Sequence, residues 1–357
     1  MQEKRITIYD IAEKAGVSVG TVNRALNGKD RISEQTRQNI LKIAKELGYT
    51  ANTAAQGLRR SPITIGAILF CPVDEYVDLI IEGMEHTARD LEKYRVNVDI
   101  RKIPFVAGVD RVGDNRRLLR ETEKLLREFE AREYKGIVLF LSALLDELGE
   151  ISKTIDELAE KKITVATVAA DLSHTKRALY VGIDAEMAGR MAAELLEMTC
   201  AGGTVAVLAG SKQTPVNLQY ILGFEKRSDV FSKVVVYEHF DHKEKIRSVM
   251  EQMLSENPDL RGVYMATASS VMACEYMRGR PDITVITTDL LPETPGLLSE
   301  KIANAVIFQN PFKQGKNVIR AIYEHIIGTP GEPIQLIIPQ ILLSSNAQAY
   351  MKMWEKE

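Results

Sequence analysis

Along residues 6–47, apolar side chains recur every three or four positions. From residue 63 they gather instead into short unbroken runs with helical periods between them. The first pattern predicts amphipathic helices and the second buried strands alternating with helices. Ile8, Ile11, Ala12 and Ala15 give a first helix one apolar face, with Thr7 as its cap and Asp10 at the reciprocal capping-box position. Gly16 falls where the chain must turn, a place for positive φ. Ser18 then caps a second helix, Val19 to Asn27, which Gly28 closes. Ala12 is small where the two helices cross, and Val17 and Val22 fill the contact. Ser33 opens a third helix, whose face is Ile40, Ile43, Ala44 and Leu47. Two short helices around so tight a corner have the layout of a helix-turn-helix, which holds its second helix outward for a DNA major groove. The same spacing also fits a helical mini-domain that binds no nucleic acid.

Beyond residue 63 the predicted strands are Ile65–Phe70, Asn97–Ile103, Ile137–Leu141, Ile163–Val168 and Ala178–Ile183. Thr204–Leu208, Val234–Glu238, Gly262–Ala266, Thr284–Thr287 and Ala305–Phe308 follow. Strands separated by helices predict parallel sheets covered on both faces. So many strands favour two α/β subdomains over one sheet. Such folds bind ligands at the carboxyl ends of strands, and a cleft between two lobes suits a small molecule.

Charge sharpens the division. The 357 residues carry a net charge of −3, yet the first 60 hold 11 Lys and Arg against 6 Asp and Glu, leaving −8 for the rest. A basic head on an acidic body points to a polyanion as partner of the head alone. The apolar stretch Ile137 to Leu145 falls far short of the roughly 18 residues that span a bilayer, so no membrane partner is expected. The start, Met1-Gln-Glu-Lys-Arg, does not read as a signal peptide. Cys71, Cys200 and Cys274 are far apart and fit neither a disulfide framework nor a metal site, which suits a reducing cytoplasm. The histidines show no nucleophile–base spacing, and Gly202-Gly203 and Leu208-Ala-Gly210 lack the Gly-Lys-Ser/Thr of a phosphate loop. No catalytic residue, metal or cofactor is therefore expected.

The run Ile6-Thr-Ile-Tyr-Asp-Ile-Ala, Gly-Val-Ser, Thr21-Val-Asn-Arg-Ala-Leu-Asn, Ile32-Ser, Leu47-Gly-Tyr and Asn52 to Arg59 closely resembles the head of the lactose-repressor (LacI) family. The resemblance implies a dimeric transcription regulator, acting as a repressor on a near-palindromic operator. The implied DNA-contacting set in the head is Thr7, Tyr9, Ser18, Val19, Gly20, Thr21, Asn23, Arg24 and Asn27. Val19 suits a thymine methyl and Arg24 a bidentate contact to guanine. Tyr9, Thr21 and Asn23 suit phosphates, which position without specifying. A hinge helix aligns with residues 52–59 and adds Asn52, Ala55 and Leu58, the leucine as a minor-groove wedge. Ala51 stands where proline is usual. Gly57 costs a short helix about 1 kcal/mol relative to Ala, which predicts a hinge that folds only on DNA.

The body resembles the periplasmic sugar-binding-protein fold carried by the same family. The landmarks are Tyr180-Val-Gly-Ile-Asp184, Gly189-Arg, Leu208-Ala-Gly210, Gly223-Phe, Val285-Ile-Thr-Thr-Asp289 and Gln309-Asn-Pro-Phe. The expected organisation is a helix-turn-helix head at 1–50, a hinge and linker at 51–62, and a two-lobed effector and dimerisation domain at 63–357. Its first lobe is placed at 63–169 and 310–338, and its second at 170–309 and 339–357, with crossings near Ala169–Ala170, Gln309–Asn310 and Ile338–Gln340. The implied effector contacts are Asp74, Tyr76, Ser142, Asp184, Tyr220, Thr267, Asp289 and Gln309. Tyr220 stands where the family often has arginine, and Thr267 where Asn or Asp is common. Asp184-Ala185 replaces the Asp-Asn of many ribose-type binders. Three aspartates without an arginine favour a neutral sugar or polyol, or a cation, over an anion. Asp74 and Asp184 also read as helix caps. Two other functions remain open: a regulator using a non-sugar corepressor such as a purine, and a transport-type solute-binding protein. No heptad tail ends the chain, which favours a homodimer over a tetramer.

Overall fold

The computed structural model describes residues 6–26, 32–47, 61–71, 73–104, 111–141, 149–240, 243–267, 269–329 and 331–354. Head and body are separate units. Asn27, Asn52, Ala55, Leu58 and Ser142 lie outside the described residues.

The head is three helices: α1 (Ile8–Ala15), α2 (Val19–Leu26) and α3 (Glu34–Glu46). The Thr7 N–H donates to the Asp10 carboxylate at 2.7 Å, closing the expected capping box. Gly16 ends α1 at φ 66°, a conformation that costs a residue with a Cβ. The N–H of Val17 returns to the Ala12 carbonyl at 3.1 Å, which fixes the corner. Ser18 Oγ accepts from the Thr21 N–H and Ser33 Oγ from the Thr36 N–H, each at 3.1 Å. Ile11, Val22 and Ile40, one from each helix, are fully buried, and Ala12, Ala25, Ile43 and Ala44 complete the core.

The body holds two six-stranded sheets. Strands β1 (Ile63–Phe70), β2 (Val96–Lys102), β3 (Gly136–Leu141), β4 (Thr164–Val168), β5 (Leu179–Ile183) and β11 (Ile334–Ile337) form the first, ordered β11-β5-β4-β3-β1-β2 and wholly parallel. The second contains β6 (Thr204–Ala209), β7 (Lys233–Glu238), β8 (Leu260–Ala266), β9 (Thr284–Thr288), β10 (Ala305–Phe308) and β12 (Gln340–Leu342). Its order is β12-β10-β9-β8-β6-β7, with only β12 antiparallel. Strands β3, β5, β6 and β10 are buried at every position, as strands covered on both faces must be.

The chain changes sheets between β5 and β6, between β10 and the helix Pro311–Ile326, and between β11 and β12. The crossing expected near Ala169–Ala170 is therefore misplaced. Leu179–Ile183 still pairs with β4, and the change follows Ile183. Strand order in a parallel sheet depends on contacts distant in sequence, so the run of β5 could not reveal which sheet it joins. Strands β11 and β12 were not read at all. Both are short, and Ile334, Leu336 and Ile341 stay exposed, so neither carries the apolar run of a buried strand.

Each lobe is also tied by two helices crossing through glycine. In the first, a Cβ on Gly83 would lie 2.0 Å from the Phe312 carbonyl oxygen, and one on Gly315 2.0 Å from that of Ile80. In the second, a Cβ on Gly189 would lie 2.1 Å from the Tyr220 carbonyl oxygen, and one on Gly223 2.1 Å from that of Glu186.

Candidate DNA-reading face and effector cleft

On the head, the exposed positions of α2 are Gly20, Asn23 and Arg24, with Ser18 exposed at its cap. The Arg24 guanidinium lies along the helix toward Gly20, 3.6 Å from where a Cβ there would stand. Tyr9 on α1 is 69% exposed. The hydroxyl of Thr7 is occupied by Asp10 and that of Ser18 by Thr21, so these residues hold the helix starts. Val19 is half-buried against the head core, which leaves less of it to present than a base-reading position implies. The outward set is thus Arg24, Asn23, Gly20 and Tyr9, with Thr21 half-buried beside them.

On the body, a cleft lies at the carboxyl ends of the strands of both sheets, the expected place for a ligand in open α/β folds. Its empty space is about 710 Å³, mouth included, within the size range of small-molecule sites. The first lobe lines it with Cys71, Val73, Tyr76, Phe140, Ala169 and Ala170. The second contributes Thr214, Val216, Asn217, Tyr220, Thr267 and Ser269, and Gln309 enters at the second crossing. Tyr76 and Phe140 meet edge to face, with centroids 6.0 Å apart. The Thr267 hydroxyl is shared with His239 Nε2 at 2.9 Å and the Ser269 N–H at 3.1 Å.

Four of the expected effector residues, Tyr76, Tyr220, Thr267 and Gln309, come together on this surface. The aspartates do not join them. Asp184 caps the helix Ala185–Cys200, accepting from the Met187 N–H at 2.9 Å. Asp74 begins the helix Asp74–Glu92, largely exposed, with its carboxylate 2.9 Å from Lys102 Nζ. Both follow a strand and start a helix, so local sequence offers the cap and the ligand contact equally, and here the cap prevails. Asp289 is 1% exposed and sits behind Gln309, whose amide donates to it at 3.0 Å. Burial pushes its carboxyl up to about 7, against the opposing pull of Gln309. Polar groups not foreseen are Thr214, Asn217 and Ser269. They follow β6 and β8 directly, and Thr214-Pro215 as a helix start after a strand was the available signal.

A chain of hydrogen bonds joins the lobes beneath the cleft. Gln314 Nε2 donates to the Tyr76 hydroxyl at 3.3 Å and to the Gln309 carbonyl at 3.1 Å. Tyr76 donates to Gln309 Oε1 at 3.5 Å, and Gln309 reaches Asp289. Burial raises the Tyr76 and Tyr220 phenols well above their ordinary range, so both remain neutral hydroxyls. Among the described residues no cluster of side chains fits a metal ion, and no helix is long and apolar enough to cross a membrane.

Two lobes with a cleft at their strand ends and three crossings between them define a two-lobed binding module, here behind a helix-turn-helix. Residues 65–330 match the periplasmic binding protein domain, and residues 7–52 match the bacterial regulatory proteins of the lacI family. The chain belongs to the periplasmic binding protein domain family through its body, and its head is a DNA-binding domain of the lacI family. It is 27% identical over 228 residues to the HTH-type transcriptional regulator pepR1 of Lactobacillus delbrueckii subsp. lactis, covering 63% of this chain and 62% of that relative. With the HTH-type transcriptional regulator CelR of Thermobifida fusca it shares 24% over 355 residues, 96% of this chain and 98% of the relative. Its fold is similar to that of GanP, a glucose-galactose binding protein from Geobacillus stearothermophilus. That match has a TM-score of 0.68 and 19% identity, over 80% of this chain and 99% of the other.

Proposed function

We propose that this chain is a sequence-specific DNA-binding transcription repressor whose operator affinity is set by a small sugar or polyol in the cleft. The observation that carries the reading is the pairing, in one chain, of a lacI-family head with a body that encloses a ligand-sized cleft. The corner at Gly16 fixes α2 with Arg24 and Asn23 outward, as reading a major groove requires. A homodimer would place two such helices about 34–36 Å apart on a near-palindrome. The relatives named as transcriptional regulators support this reading over a transport role. Selection of duplexes from a random library by the full chain tests it. Enrichment of a two-fold symmetric site supports the reading, whereas recovery of unselected sequence at every round sinks it.

A further inference from the structure

Polarity is divided between the walls of the cleft. On the first-lobe side the described lining is apolar, apart from a Tyr76 hydroxyl already engaged with Gln309 and Gln314. On the second-lobe side stand the hydrogen-bonding groups of Thr214, Asn217, Tyr220 and Ser269. Tyr220 is 3% exposed, and its hydroxyl has no hydrogen-bond partner although its ring forms part of the wall. A buried hydroxyl left unmade is destabilising, so a ligand atom that completes it gains what the free protein forgoes. No charged side chain is among the described lining residues.

Resting on the reading of this cleft as the effector site, we propose that it takes an uncharged ring compound with polar groups along one edge, read by Tyr220, and an apolar face set against Phe140 and Val73. A phosphate, carboxylate or ammonium would be buried there without a counter-charge. A hexose hydroxylated all round would lay hydroxyls on the apolar wall, each losing its water. A deoxysugar and a nucleobase share the required chemistry.

Calorimetric titration of the full chain tests this with L-fucose, L-rhamnose, hypoxanthine and thymine against D-galactose, D-glucose 6-phosphate, D-glucuronate and D-glucosamine. One of the first four is expected to bind at least about tenfold more tightly than any of the second four, and which arm binds distinguishes deoxysugar from nucleobase. Tyr220→Phe should weaken that binding about tenfold while raising the Tm of the ligand-free chain by about 2 °C or more. Tighter binding of a charged or fully hydroxylated probe, failure of all of the first four, or a Tyr220→Phe variant with unchanged affinity or a lowered Tm overturns the proposal. Duplex selection by the same protein would be unaffected by any of these outcomes, so the DNA-binding reading stands or falls separately.

Discussion

Asp289 combines three features that constrain each other: complete burial, φ of 72°, and a carboxyl raised from 3.8 to about 7 by desolvation. Below pH 3.8 folded and unfolded chains both hold the proton. Between 3.8 and about 7 the unfolded chain releases it and the folded one keeps it, so this group's contribution to stability falls as pH rises, and above about 7 the slope ends. Asp289→Asn keeps the acceptor for Gln309, tolerates positive φ and cannot titrate. Relative to that variant, the wild type should lose up to roughly 1.4 kcal/mol per pH unit between pH 5 and 7. Urea unfolding of both at pH 5, 6, 7 and 8 measures it, and parallel profiles would show that the carboxyl is not held protonated. On the head, Arg24→Ala should cost about 1–3 kcal/mol of binding to the selected site and relax its sequence preference at one position per half-site. A uniform loss on all duplexes would make Arg24 a phosphate contact instead.

Among the helices, the glycine crossings invert an ordinary rule. Gly→Ala inside a helix usually stabilises by about 1 kcal/mol. At Gly189 the new Cβ would stand 2.1 Å from the Tyr220 carbonyl oxygen and 2.8 Å from the Phe224 nitrogen, and backbone cannot yield as a flexible side chain does. Gly189→Ala should therefore lose about 2 kcal/mol or more and loosen the wall that carries Tyr220. Gly296→Ala, with nothing within 4 Å, should be neutral or stabilising. Equal melting temperatures for the two variants would refute the close crossing. These elements also show what sequence discloses. The head was legible because caps, the Gly16 corner and a helical period are local signals that agree. The buried strands were legible as apolar runs, but the sheet that β5 joins is settled by partners up to 150 residues away, in β11. In the cleft, Tyr76, Tyr220, Thr267 and Gln309 were readable at strand and helix ends, whereas Asp74 and Asp184 carry the same local pattern and serve as helix starts.

Across the body, the two lobes communicate through three crossings and one buried relay, Gln314 to Tyr76 to Gln309 to Asp289. Tyr76 and Gln309 both line the cleft, so a ligand touches the relay that spans the lobes. A ligand shifts an equilibrium between lobe arrangements only by its differential affinity for them. If one arrangement also sets operator affinity, the coupling is a single free energy shared by both sites. A probe that binds the cleft should change the Kd for the selected duplex by a factor of roughly 5–150, and the duplex must change the Kd for the probe by the same factor. Fluorescence anisotropy with and without saturating probe gives the first number, and calorimetry with and without saturating duplex gives the second. Agreement supports one linked equilibrium. A clear inequality would require the probe to act at more than the cleft, and no change in either would leave the cleft uncoupled from DNA. Tyr76→Phe, which breaks the relay at its centre and keeps the ring against Phe140, should shrink both factors together while leaving probe binding measurable.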